Sequence, residues 1–130
     1  MNAGASHFVT TSSFAVEPGE DPETNPGIYG RAFAHWLTDR LRERGEPVEA
    51  IIAEDFGWCV MLRRTPYRLW IACGNRDGST TEWGAYVVAE PSVVARLFRR
   101  VDPGPEIARL PTLLEQIMLS IPGATNHTVE

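Results

Sequence analysis

The chain has 130 residues, 43% of them apolar and 22% charged, with 12 basic and 17 acidic side chains and a formal charge of −5. That length buries a full hydrophobic core in one domain without disulfides or metal, and the two cysteines, Cys59 and Cys73, lack the spacing of a zinc or redox pair. All 12 basic residues are arginine, which excludes a Schiff-base lysine and a P-loop lysine.

The acidic balance speaks against a general nucleic-acid binder, which gathers positive charge to displace counterions from phosphate. Met1 to Ser13 hold neither a basic stretch nor a continuous apolar one, and no apolar run approaches the ~20 residues that span a bilayer. The expectation is a cytoplasmic protein without membrane contact. The absence of lysine beside abundant alanine, glycine, proline and arginine matches the coding bias of a GC-rich bacterial genome, so a bacterial origin is expected.

In chain order, the β-branched and aromatic run from His7 to Glu17 predicts a first strand. Glu17 to Gly27, with three prolines, two glycines and four acids, predicts a loop with nothing to bury. Tyr29, Phe33, Trp36, Leu37 and Leu41 share one face of a helix predicted over Gly27 to Arg44, which Gly45 and Pro47 end. Arg40 falls on the side of Trp36, where it must snorkel or meet a carboxylate, and His35 points away as a surface residue.

Four strand-like segments follow: Val48 to Glu54, Trp58 to Arg64, Tyr67 to Cys73 and Glu82 to Ala89. With Thr65 and Pro66 at the tip of the middle hairpin, Leu62 faces Leu69, Val60 faces Ile71 and Trp58 faces Cys73 on an apolar core side. The same register pairs Met61 with Trp70 and Cys59 with Ala72 on the second side, with Arg63 and Arg68 near the tip. Strands apolar on both sides need cover on both, from helices, a partner chain or a ligand. The two cysteines fall on opposite sides, which argues against a disulfide.

Ser92 to Arg99 predicts a short helix, and Glu106 to Ile121 a longer one in which Leu110, Leu113, Leu114, Ile117, Met118 and Ile121 share a face. Residues 1–6 and 124–130 are expected to be mobile termini. The reading is a single α+β domain, an antiparallel sheet of about five strands packed against helices in the order β-α-β-β-β-β-α-α. That order resembles the TATA-binding-like and helix-grip arrangements, in which helices cover one side of a curved sheet.

The segments Pro26-Gly27-Ile28-Tyr29-Gly30, Glu54-Asp55-Phe56-Gly57-Trp58 and Trp70-Ile71-Ala72-Cys73-Gly74-Asn75 together resemble a family of uncharacterised small bacterial α+β proteins. That family carries an E-D-W-G-W-like motif and a W-x-x-C-G-N-like segment; Phe56 departs from the commoner tryptophan. The resemblance spans roughly residues 26 to 90 and implies a single α+β domain with no known activity.

Glu54 and Asp55 form a carboxylate pair beside an aromatic residue, a setting that suits acid–base work but more simply ties a turn to an arginine such as Arg40 or Arg44. Trp58, Trp70 and Trp83 come from adjacent segments but alternate sides, so core packing explains them before a stacking platform does. The three histidines show no metal-ligand spacing, no histidine stands near Cys73, and neither catalytic residues, metal nor cofactor are expected. Arg63, Arg64 and Arg68 make a basic hairpin tip suited to an anion or an acidic partner.

The function expected is binding without catalysis, with Met61 and Trp70 as a surface for homo-oligomerisation or a protein partner. The alternative is a small-molecule pocket between the sheet and the first helix, lined by Trp36, Trp58 and Trp83 and polarised by Glu54, Asp55 and Asn75.

Overall fold

The computed structural model describes residues 2–17, 19–65, 67–91 and 104–130. In chain order its elements are β1 (Asn2–Ala3), β2 (His7–Thr10), α1 (Arg31–Glu43), β3 (Ala50–Glu54), β4 (Gly57–Arg63), β5 (Tyr67–Asn75), β6 (Glu82–Pro91), α2 (Gly104–Leu119) and β7 (Thr125–Val129). The strands form one antiparallel sheet in the order β3-β4-β5-β6-β2-β7, and β1 continues the line of β2 along β6. The mixed α+β class is as expected, but the sheet is six strands wide rather than five. The helix expected over Ser92 to Arg99 lies outside the described residues.

The sixth strand is the C-terminal segment expected to be mobile. Its polar residues hide no apolar face, so alternation gives no sign of it. Backbone pairing holds it instead: His7 lies opposite Val129, and Ser6 and Glu130 exchange two N–H···O bonds of 2.8 Å. The N-terminal segment is likewise tied down, with Asn2 opposite Ala89 and the Gly4 N–H donating to the Val87 carbonyl.

The central hairpin has the register its apolar pattern predicts, with Trp58 opposite Cys73, Cys59 opposite Ala72, Val60 opposite Ile71 and Met61 opposite Trp70. Near the tip the register shifts, so that Arg63 rather than Leu62 faces Leu69. A bulge admits one extra residue there. Both cysteines are free and on opposite sides of the sheet.

Helix α1 packs on β4 and β5, and α2 packs on β6 and β2. Both cover the same side. Phe33, Leu37 and Leu41 from α1, and Leu110, Leu114, Ile117 and Met118 from α2, join Val60, Ile71, Trp83 and Val87 in one buried cluster. Leu113 packs against its border. The other side of the sheet carries neither of these helices.

Three local expectations change for identifiable reasons. The first strand stops at Thr10, because the Thr11 hydroxyl donates to the Pro122 carbonyl (2.9 Å) and accepts from the Ser13 N–H, turning Phe14 into the core. Helix α1 begins at Arg31 rather than Gly27, because Tyr29 pairs with Asn75 and Gly30, at a φ of 157°, breaks the helical path. The loop before it does bury something: Glu20, only 2% exposed, accepts from the Gly30 and Arg31 N–H groups at 2.8 Å each and from the Glu17 N–H at 3.2 Å. A loop carboxylate thus caps a helix whose own N-cap is a glycine.

Candidate functional site

The side of the sheet away from the helices carries Cys59, Met61, Trp70 and Ala72 on β4 and β5, with Tyr86 and Val88 beside them on β6. The chain closes part of this surface itself. Cys59, Met61, Ala72 and Val88 are buried, and Met61, expected at a partner surface, is floor rather than surface at 5% exposure. Trp70 is half-buried, and its indole Nε1–H donates to Glu90 at 3.1 Å.

The exposed aromatic here is Phe56, at 49%, which leans on Trp70 with ring centroids 5.7 Å apart and planes tilted by 37°. Sequence reasoning did not single it out as a site residue. The available signal was a large apolar side chain in a two-residue turn, where polar residues are the rule.

Two recesses flank Phe56. One, of about 190 Å³, has Cys59 and Met61 as floor and Glu54, Phe56, Arg68, Trp70 and Glu90 as walls. The other, of about 170 Å³, lies between Phe8 and Phe56 over Ala72, Gly74 and Tyr86. Gly74 and Gly84 both line the second. A Cβ at Gly84 would stand 2.4 Å from the Phe8 ring, which lies against that strand beneath the Arg76 guanidinium, 4.2 Å from the ring centroid.

The expected carboxylate pair is split by role. Glu54 and Asp55 are both exposed, but Glu54 lines the larger recess whereas the Asp55 backbone carbonyl accepts from Asn25 Nδ2 at 2.9 Å. Neither meets the arginines expected for them. Arg40 pairs with Glu43 at 2.8 Å and stacks on Trp36, and Arg44 bonds the Arg40 carbonyl.

Asn75 is a latch, not a recognition group. Its Oδ1 accepts from the Tyr29 N–H and its Nδ2 donates to the Gly27 and Ser79 carbonyls, each at 2.9 Å. The segments 26–30, 54–58 and 70–75 meet at this point, where Gly30, Gly57 and Gly74 let backbones touch. Their spacing is explained by close packing.

Trp58 and Trp83 lie in the core rather than around an open pocket. Trp83, 1% exposed, meets Phe14 and Phe33 edge-on at 5.7 and 5.9 Å, and Trp58 lies under the Arg31 guanidinium at 5.6 Å. The basic tip is also engaged internally: Arg63 with the Tyr67 hydroxyl, Arg64 with Glu49 at 2.7 Å, and Arg68 with Glu90 at 3.3 Å.

Burial pushes the Cys59 thiol up to about 12, with the charge of Glu54 adding to the shift, and pushes Cys73 higher still. Both are neutral thiols at physiological pH and poor nucleophiles.

The fold joins two histidines 120 positions apart. His7 Nδ1 and His127 Nε2 lie 3.3 Å apart, one donating and the other accepting, in near-parallel rings. Burial lowers the His7 pKa below 6.5, the charge of Glu115 opposing and that of His127 adding to the shift. The unfolded chain therefore binds more protons than the folded one just below pH 6.5, so stability is present above that pH and falls as pH drops through it. We expect His7→Asn to flatten this slope between pH 7 and 5, as read by urea midpoints across that range; an unchanged slope would assign it elsewhere. Among the described residues no three metal-ligating side chains come together.

No family model, curated protein or solved structure matches the chain. No helix among the described residues is long and apolar enough to cross a membrane.

Proposed function

We propose that this protein is a binding module that takes a protein partner on the helix-free side of its sheet, around Phe56 and Trp70, without catalysing a reaction. The observation that carries this reading is the half-exposed Phe56 leaning on Trp70 between two recesses, on a surface that neither described helix covers. Exposed aromatic side chains in such positions anchor interfaces, because they bring large apolar area at small entropic cost. The recesses, at about 170 and 190 Å³, fall short of the ~300 Å³ at which drug-sized ligands are enclosed, which favours a protein surface over a small-molecule pocket.

The test is native mass spectrometry of the protein purified gently from its source, beside Phe56→Ser. Phe56 is half-exposed, so its replacement is expected to cost only about 1 kcal/mol and to leave the chain folded. The expected result is a bound protein, either a second copy or a different chain, that is lost in Phe56→Ser while the thermal midpoint falls by no more than about 4 °C. A bare wild-type monomer, or a partner retained by the variant, would overturn the proposal.

A further inference from the structure

We infer that the larger recess receives an arginine side chain of the partner. This rests on the reading above and names the chemistry of what binds.

Three features of the recess fit a guanidinium. Its walls include two aromatic rings, Phe56 and Trp70, and the Trp70 ring is held in place by its bond to Glu90. An aromatic face attracts a cation through its quadrupole, and the flat guanidinium stacks on it better than a compact ammonium does.

Its charge is negative and uncompensated. Glu90 is already matched by Arg68, but the Glu54 side chain makes no ion pair or hydrogen bond among the described residues. Glu54 lines the same recess, and a carboxylate can accept two parallel N–H donors from one guanidinium. Its charge is felt at the floor, where it helps keep the Cys59 thiol neutral.

The floor, Cys59 and Met61, is apolar and matches the methylenes that precede a guanidinium. The volume, about 190 Å³, equals that of roughly six liquid waters and suits a side chain rather than a whole ligand.

The test uses the full chain and two neutral-capped probes. N-acetyl-arginine amide and N-acetyl-citrulline amide have nearly the same shape, but only the first is charged. The Trp70 indole N–H resonance is followed as each is added to wild type and to Glu54→Gln. The arginine probe is expected to shift that resonance saturably, with citrulline binding about ten-fold more weakly and Glu54→Gln losing a similar factor for arginine. Equal binding of the two probes, no saturable shift with arginine, or an unaffected Glu54→Gln would overturn the inference. If the recess ignores arginine while Phe56→Ser still loses its partner, this inference fails and the binding module stands.

Discussion

Replacing Glu20 with alanine is expected to lower the unfolding free energy by about 3 kcal/mol and the thermal midpoint by roughly 10 °C. The carboxylate is 2% exposed and is the acceptor for three backbone N–H groups, those of Glu17, Gly30 and Arg31. Two of these begin helix α1, where the unpaired amides and the positive end of the helix dipole both favour an anion. Alanine leaves the amides buried without an acceptor, and each such loss costs about 1–3 kcal/mol, offset in part because a charge no longer has to be desolvated. Glu20→Gln keeps an acceptor oxygen for Gly30 and Arg31 and should lose about half as much. Urea unfolding of the two variants against wild type checks the ordering; equal stability of alanine and glutamate would show that solvent, not Glu20, satisfies the helix start.

Gly57→Ala is expected to cost a further 3 kcal/mol or so, for a backbone rather than a polar reason. At a φ of 147°, Gly57 occupies a conformation that side chains rarely adopt, and an added Cβ would stand 2.8 Å from the Cys73 carbonyl oxygen. That neighbour is main chain within the central hairpin, so it has no rotamer to yield. Gly78 supplies the comparison, since it too has a positive φ, 75°, but nothing lies within 4 Å of its added Cβ. Gly78→Ala should lose only about 1 kcal/mol, the conformational penalty alone. Differential scanning calorimetry of both variants separates the two contributions, and equal losses would refute the packing argument.

These expectations show what kind of information lay in the chain. The register of β4 and β5 was legible because Trp58, Val60 and Ile71 alternate with Cys59, Met61 and Ala72, and a one-residue slip would exchange the two sides. The face of α1 was legible for the same reason: Phe33, Leu37 and Leu41 recur at the helical period and are buried. That Arg40 shares the side of Trp36 and meets a carboxylate, Glu43, followed from its place on the helix, whereas its stacking on the Trp36 ring came from the structure alone.

The candidate site was only half legible. Trp70 and Glu54 were read correctly as lying near the turn and the second side, but Met61 proved to be floor and Phe56 the exposed ring. Alternation tells which side of a sheet a residue faces and nothing about how deeply its neighbours cover it. Asn75 likewise looked like a polar group for a ligand, but two of its side-chain bonds tie the loop before α1 to the sheet and the third closes the β5–β6 loop at Ser79.

By itself, then, the sequence determined the class of the fold, the central register, and the apolar faces of the helices, all of which are local periodicities of side-chain hydrophobicity. Only the tertiary structure decided that both described helices share one side, that Glu20 caps α1, that His7 meets His127, and that the polar C-terminal segment is an edge strand. The physical reason is that these four rest on backbone pairing and on polar contacts between distant segments. Such contacts depend on where the chain returns in space, and no period along the sequence records that.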